Sequence, residues 1–316
     1  MVNKKVLVTG GSGYIGARLC LHLALQGYAV TPVCYSKLPS DNDWIAKMER
    51  VAIGDIRDEN FIYQLAEEDF YAIIHLVSLD HHQSNGSPSF VSSVNITPVW
   101  SLLDIFSKKG LSKFLYFSTM QVYGAIQNEV VTELECTKTL NAYALTHNIG
   151  EVICEHYNRV SDVECKIIRL SNSYGAPIFD DSNCWWLVIN DLCRMAILEK
   201  KIILQSDGSP LRDFIHGWDI CGAVEAILET DSNHTVYNLS SGLTLSIMEI
   251  AFKIRQVYFE RYHTALEITS VASDKKMKPI SYKMDNSRLL SIGFTIQWSL
   301  EDGIKELFDS LERNER

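Results

Sequence analysis

The 316-residue sequence has no Cys-x-x-Cys pair among its eight cysteines and no Cys/His cluster at zinc-finger spacing. Neither a disulfide framework nor a structural zinc site is therefore expected, and reduced thiols fit a cytoplasmic protein. No apolar run reaches transmembrane length, and the first residues run from Met1 through two lysines straight into Val6-Leu7-Val8. That leaves no room for a signal peptide, so the expectation is a cytoplasmic chain with no membrane partner and no metal. Positive charge is also short. With 29 Lys and Arg against 39 Asp and Glu, the formal net charge of −10 argues against a surface that tracks nucleic-acid phosphates or anionic lipid. Internal repeats, low-complexity tracts and long linkers are missing as well. What remains, with 47% hydrophobic residues, is a chain able to bury a large core in one big domain or two intertwined smaller ones.

The first half alternates short apolar runs with longer helical patterns. Segments 5–9, 29–35, 50–53, 72–77 and 113–117 read as strands, and 14–26, 60–67 and 90–109 as helices. A helix over 142–159 and a strand over 166–170 continue the series. A parallel strand pair needs a crossover that a helix supplies, so the pattern predicts an α/β fold: a Rossmann-type doubly wound parallel sheet. Regularity falls over 171–213, where a smaller C-terminal substrate-binding lobe is expected to start. A helix after Asp219 and a strand over 235–239 return to the first domain, and helices near 246–262 and 299–313 complete the lobe. The expected division is 1–173 for an NAD(P)-binding domain, with returning segments about 214–240, and 174–213 with 241–316 mainly for the lobe.

Between the first strand and first helix lies Thr9-Gly10-Gly11-Ser12-Gly13-Tyr14-Ile15-Gly16. Gly11, Gly13 and Gly16 satisfy G-x-G-x-x-G, and Gly10 extends the motif. Such a loop provides a tight turn, close backbone approach to a pyrophosphate, and a helix N-terminus facing the anion. Glycines alone could merely make a turn; their place after strand one of a βαβ pattern points to a dinucleotide. The end of the second strand, Val33-Cys34-Tyr35-Ser36-Lys37, carries no carboxylate for the adenosine ribose. Lys37 could favour a 2′-phosphate, although a surface lysine is the commoner explanation.

Further matches occur in order along the chain: Gly54-Asp55-Ile56-Arg57-Asp58, His75-Leu76-Val77-Ser78, Asn95, Ser118-Thr119-Met120-Gln121-Val122-Tyr123-Gly124 and Asn141-Ala142-Tyr143. Arg169 through Gly175, Arg212-Asp213-Phe214-Ile215-His216, Tyr237-Asn238 and Ser287-Arg288 follow. On these residues the chain resembles, over essentially its whole length, the extended short-chain dehydrogenase/reductases, a family of nucleotide-sugar epimerases and dehydratases. The resemblance implies an NAD cofactor, with NADP open, held by Gly10, Gly13, Tyr14, Ile15, Gly16, Asp55, Ile56, Leu76, Val77, Ser78, Asn95, Ser118, Tyr143 and His147. It implies that Tyr143 takes a proton from a sugar hydroxyl while Thr119 hydrogen-bonds the same oxygen. It implies a homodimer too, through the helices over 90–109 and 142–159, although Val94, Leu102, Ile149 and Ile153 could equally cover the sheet.

One departure stands out. The family places a lysine four residues after the tyrosine, and this chain has His147 there. One helical turn from Tyr143, His147 can reach the ribose but is mostly neutral at pH 7, so it cannot supply the lysine's permanent charge to a phenol whose ordinary pKa is about 10. Met120-Gln121 stands where the 4,6-dehydratases of the family carry Asp-Glu, which argues against dehydration. Arg212 lies where the family grips a nucleotide diphosphate, assisted by Lys276 or Lys278; Thr119, Asn172 and His81 are the other expected sugar contacts. His81 belongs to the polar stretch Asp80-His81-His82-Gln83 after the fourth strand, and Cys184-Trp185-Trp186 could line the pocket or pack the lobe. The expected function is an NAD(P)-dependent nucleotide-sugar epimerase acting by transient oxidation of a ring hydroxyl, at C4 by analogy. The alternatives are a net nucleotide-sugar oxidoreductase (a 4-dehydrogenase or ketoreductase) and a catalytically weak cofactor-binding sensor.

Overall fold

In the computed structural model, residues 4–271 and 281–314 are described. The first half runs β1 (Lys5–Thr9), α1 (Tyr14–Leu25), β2 (Ala29–Cys34), α2 (Asn42–Ile45), β3 (Ala52–Ile53), α3 (Glu59–Leu65), β4 (Ala72–His75), α4 (Pro88–Asn95), α5 (Thr97–Phe106) and β5 (Lys113–Thr119). Then come β6 (Val130–Val131), α6 (Ala142–Val160), β7 (Glu164–Leu170), β8 (Asn172–Tyr174), α7 (Val188–Arg194), β9 (Lys201–Leu204) and β10 (Leu211–His216). The remainder comprises α8 (Gly217–Glu229), β11 (Val236–Leu239), β12 (Thr244–Ser246), α9 (Ile247–Tyr262), β13 (Glu267–Ser270), β14 (Lys283–Met284), α10 (Ser287–Ser291) and α11 (Leu300–Asn314).

Seven strands form one parallel sheet in the order β3-β2-β1-β4-β5-β7-β11. Strand order reverses between β1 and β4, and in such sheets ligands bind outside the carboxyl ends of the strands at that switch point. The strands are apolar on both faces because helices cover both. Side chains alternate across the sheet: Val6 and Val8 pack with Leu19 and Leu23 of α1 and Ile220 and Val224 of α8, while Leu7 joins Ile62 of α3, Leu102 of α5 and Ile153 of α6 on the other face. A third core gathers Ile189, Ile202, Ile254, Ile304 and Phe308, built around α7, α9 and α11. Beside it, β10 pairs in parallel with β8 and antiparallel with β12. Leu289 and Phe294 bury instead in the core shared with α1 and α8, so the chain returns to the main sheet once more before its last helix.

The helix expected over 90–109 is two helices. α4 stops at Asn95 and α5 restarts at Thr97, because Pro98 has no N–H to donate and its ring would clash with the preceding turn. Val94, Leu102 and Ile153 are buried and Ile149 packs on the sheet core. The apolar side chains that these helices turn outward are others: Phe90, Trp100, Leu145 and Val152.

Behind β5 lies a buried polar network. Glu151 of α6 accepts two-point contact from Arg169 of β7, at 2.7 Å from Nη2 and 3.0 Å from Nε, and a 2.5 Å bond from Ser118 Oγ. Arg169 also donates to the Tyr123 hydroxyl, which donates to Asn238 of β11. Glu133 closes the far side by accepting from the Asn238 backbone N–H and pairing with Arg288. A buried ion pair is costly to break, because the remaining charge has no water. Arg169→Ala is expected to lower unfolding free energy by about 3–5 kcal/mol in urea titrations, whereas Glu151→Leu with Arg169→Met recovers most of that loss. Simple addition of the single-variant losses in the double variant would show that the two charges are not coupled.

Candidate active site

The loop between β1 and α1 is shaped by three different demands on glycine. Gly10 adopts φ of 71°, in the left-handed region that favours glycine. A Cβ on Gly11 would lie 2.3 Å from the Pro32 side chain of β2, and one on Gly16 would lie 2.1 Å from the Gly10 carbonyl oxygen. Gly13 is different: a Cβ there would meet only the Gly10 carbonyl, at 3.1 Å, so its outer side is open. α1 starts after Gly13 with no side-chain cap and no acidic residue in its first turn. Its first N–H groups and the positive end of its dipole are left for an anion from outside, so the residues present fit a dinucleotide pyrophosphate.

Around this loop the expected cofactor residues fall into two groups. Leu76 and Val77 close against it: the Leu76 N–H donates to Thr9 Oγ1, and Val77 lies in contact range of Gly10. Ser78 follows at the exposed edge. Ile56 is buried in the turn that follows β3, and Asp55 receives Arg57, which also reaches the Tyr35 hydroxyl at 3.2 Å. Ile15 packs on the core. The side chains of Tyr14, Asn95 and Ser118, by contrast, are engaged within the protein. Tyr14 donates to the Gly175 carbonyl, Ser118 donates to Glu151, and Asn95 joins the Leu79 N–H, Ser84 and Thr146. Tyr14 is also the first residue of α1, so its backbone N–H is among those that the helix leaves without an internal partner. Lys37 reaches Asp181 rather than any part of the glycine loop.

Thr119 ends β5 and Tyr143 lies in the first turn of α6, a turn set by the Asn141 side chain accepting from the Ala144 N–H at 2.8 Å. The fold brings the two hydroxyls into partnership. Burial of the Tyr143 hydroxyl raises its pKa to about 12; Thr119, bonding the phenolate, pulls the other way, and the Asp80 carboxylate adds to the rise. The His147 ring packs against Tyr143 with ring centroids 4.2 Å apart and the planes tilted by 48°, and it is buried to 3% exposure. Its Nδ1 lies 2.8 Å from the Tyr143 carbonyl oxygen. A carbonyl can only accept, so Nδ1 carries the proton and Nε2 presents a lone pair. Burial lowers the His147 pKa to about 4, opposed by that backbone bond. At neutral pH the ring is an acceptor without charge.

On the opposite side of the cleft, Asn172 of β8 donates to the Asp213 carbonyl and approaches the Met120 sulfur at 3.7 Å, which ties β8 and β10 to the residue after Thr119. Arg212 is exposed on β10, its Nη1 bonded to the Leu211 carbonyl. Burial raises the pKa of its neighbour Asp213 to about 6, against the hydrogen bonds that it accepts from the Ser241 N–H and hydroxyl. His81 is exposed and touches the Trp186 ring at 5.8 Å, so the loop after β4 meets the Cys184-Trp185-Trp186 segment. Of that segment Cys184 is buried and Trp185 packs on the third core; only Trp186 faces outward. Lys276 and Lys278 lie outside the described residues. Among the described residues no three His, Cys, Asp or Glu side chains converge as a metal site, and no helix is long and apolar enough to cross a membrane.

Two site-shaping residues escaped sequence reasoning. Glu151 lies one turn beyond His147 on the buried face of α6, and a carboxylate at that spacing was the available signal. Thr146, the Asn95 partner, carries no such mark in the sequence.

His75, under the glycine loop, is also buried and neutral. Burial lowers its pKa to about 3, with the His147 field adding to the effect, while Nδ1 lies 2.8 Å from Thr9 Oγ1. Both His75 and His147 thus titrate well below the ordinary value of about 6.5. Unfolded chains take up these protons near pH 6.5, whereas the folded protein does not until about pH 4 or lower. Stability is therefore expected to be full above pH 6.5 and to fall toward pH 4 by roughly 1.4 kcal/mol per pH unit for each histidine. Urea midpoints at pH 7 and pH 5 measure this, and His75→Gln should reduce the slope; an unchanged slope would place the acid sensitivity elsewhere.

Residues 6–240 match the family model described as the NAD dependent epimerase/dehydratase family. The chain is 26% identical to the low-salt glycan biosynthesis protein Agl12 of Haloferax volcanii, over 96% of this chain and 97% of that one. Among solved structures, the UDP-glucose 4-epimerase of Thermotoga maritima with UDP-glucose superposes with a TM-score of 0.83 at 20% identity, covering 99% of this chain and all 100% of the other. The UDP-glucuronic acid 4-epimerase of Bacillus cereus, in complex with UDP-glucuronic acid and NAD, superposes with a TM-score of 0.78 at 24% identity, covering 98% and 99%. These two likenesses are of fold. The family model spans the glycine loop, Thr119, Tyr143 and the whole seven-stranded sheet as far as β11, and on that match this chain belongs to the NAD-dependent epimerase/dehydratase family.

Proposed function

We propose that the chain is an NAD-dependent nucleotide-sugar 4-epimerase. The observation that carries this reading is the partnership of Tyr143 and Thr119 at the carboxyl edge of the sheet, beside a glycine loop with an open helix N-terminus. Both superposed structures are 4-epimerases by name, and one holds NAD. Met120-Gln121 after Thr119 offers no acid or base for dehydration.

In this reading Gly10, Gly13, Tyr14, Ile15 and Gly16 hold the pyrophosphate through backbone N–H groups, Asp55 and Ile56 border the adenine, and Leu76, Val77 and Ser78 flank the nicotinamide. Asn95 and Ser118 support these from behind. Those residues would hold a dinucleotide that supplies a reversible hydride acceptor for the sugar carbon. Tyr143 withdraws the proton from the sugar hydroxyl and returns it, while Thr119 holds the same oxygen. His147 accepts a hydrogen bond from the nicotinamide ribose through Nε2, the reverse of what a lysine would do there. Arg212 grips the diphosphate, and Asn172 and His81 border the sugar, with Lys278 as a further contact. Residues 1–173 and 214–240 serve the cofactor; 174–213 and 241–316 mainly serve the sugar nucleotide. The outward Trp100, Leu145 and Val152 suit a homodimer, and eight unpaired cysteines suit the cytoplasm.

A second reading draws on the same neutral His147: without a cation to favour phenolate, the protein holds its cofactor and senses it with little turnover. NMR of UDP-sugars incubated with the protein and NAD, then NADP, separates the two. Conversion that vanishes in Tyr143→Phe supports the epimerase; sugar binding without conversion supports the sensor. His147→Lys is expected to move the acid limb of the rate profile down by roughly 1–3 pH units, the usual effect of an opposite charge beside a titrating group. An unmoved limb would mean that residue 147 does not act on Tyr143.

A further inference from the structure

A dinucleotide on a glycine loop of this kind places its adenosine ribose at the end of the second strand, where a carboxylate ordinarily selects NAD and a cation admits the 2′-phosphate of NADP. Here β2 ends at Cys34, and Tyr35-Ser36-Lys37 supply no carboxylate. Cations do stand at this edge. Arg57, just after β3, donates to the Tyr35 hydroxyl at 3.2 Å, but Asp55 holds its guanidinium at two points, 2.9 Å from Nε and 2.5 Å from Nη2. Lys37 is met by Asp181, 3.5 Å away and from the segment between β8 and α7. That segment is built as a strap. Asn190, fully buried, closes its neck by donating to the Gly175 carbonyl at 3.0 Å and accepting from the Gly175 N–H at 3.1 Å. Two side chains of α1 grip the same neck: the Tyr14 hydroxyl donates to the Gly175 carbonyl at 2.9 Å, and Arg18 donates to the Ala176 carbonyl. Farther out, Phe179 is buried edge-on against Trp44 of α2, with ring centroids 5.3 Å apart, and Trp44 Nε1 donates to the Ala17 carbonyl of α1 at 2.8 Å. Phe179 lies two residues before Asp181, and Trp44 is carried by the connection that carries Lys37. The two segments therefore meet through a buried contact, and the exposed ion pair sits at its edge.

We infer that Asp181 sets the choice of cofactor: reaching over from the strap, it occupies Lys37 and so withholds from NADP the cation that its 2′-phosphate needs. The inference rests on the NAD-dependent reading above and deepens it. A 2′-phosphate arriving at the end of β2 finds Arg57 already neutralised by Asp55 and Lys37 by Asp181, and it also meets the like charge of the Asp181 carboxylate. The free ribose hydroxyls of NAD carry no charge and lose nothing. An exposed ion pair adds little to folding, so the role of this one lies in selection rather than in stability.

Calorimetric titration of the full chain, freed of bound nucleotide, with NAD and with NADP tests this in the native sequence, in Asp181→Asn, and in Asp181→Asn combined with Lys37→Gln. The native protein is expected to prefer NAD. Asp181→Asn should strengthen NADP binding roughly tenfold, the scale of one charge gained at contact distance in a partly exposed site, while NAD affinity and the urea midpoint stay where they are. Adding Lys37→Gln should remove most of that gain, and high salt should shrink it. NADP affinity unchanged in Asp181→Asn, a gain that survives the loss of Lys37, or a native preference for NADP overturns the inference while leaving a dinucleotide-dependent enzyme intact. A fall in NAD affinity with no gain for NADP overturns it too, since Asp181 would then be a ribose ligand. Failure of both dinucleotides to bind overturns the cofactor reading and the inference with it.

Discussion

The ion pair between Glu151 and Arg169 is the constraint on which the site depends. It joins α6 to β7 beneath the end of β5, and a pair this deeply buried must be satisfied on every side. Ser118 supplies one bond, Tyr123 another, and through Tyr123 and Asn238 the network reaches β11 and the segment at Glu133. Ser118 precedes Thr119, and Glu151 lies two turns from Tyr143 on one helix. The two hydroxyls proposed to handle the sugar oxygen are therefore positioned from below by charges that never touch it. Loosening the pair would move the two elements independently, and a displacement of about 1 Å is enough to impair a positioned reaction.

Electrostatically the cleft is unusual for a proton-transfer centre. Burial has pushed Tyr143 up and His147 and His75 down, so that all three are neutral at pH 7. The Asp80 carboxylate also acts against ionisation of the phenol. Phenolate must then be favoured by Thr119 and by what binds.

Much of the architecture was legible because it is local. Strands and crossover helices announce themselves by hydrophobic period, and the glycine loop by spacing; β1 and α1 begin where expected and β2 and β4 end only one or two residues early. The break between α4 and α5 was present in the sequence as Pro98 and was overridden by the apolar period of the surrounding residues. Asn95 and Ser118 illustrate a different limit. Their motifs identify the neighbourhood of the cofactor, yet their hydrogen bonds go to Thr146 and Glu151, partners 51 and 33 residues away.

The sequence by itself determined the parallel sheet, the phosphate-facing helix start, and Tyr143 and His147 on one helical face, since each follows from spacing within a single element or crossover. Tertiary structure alone decided the tautomer of His147, the neutrality of both buried histidines and the pairing of Glu151 with Arg169. Those properties depend on desolvation and on fields between groups far apart in the chain, and neither exists until the fold has closed around them.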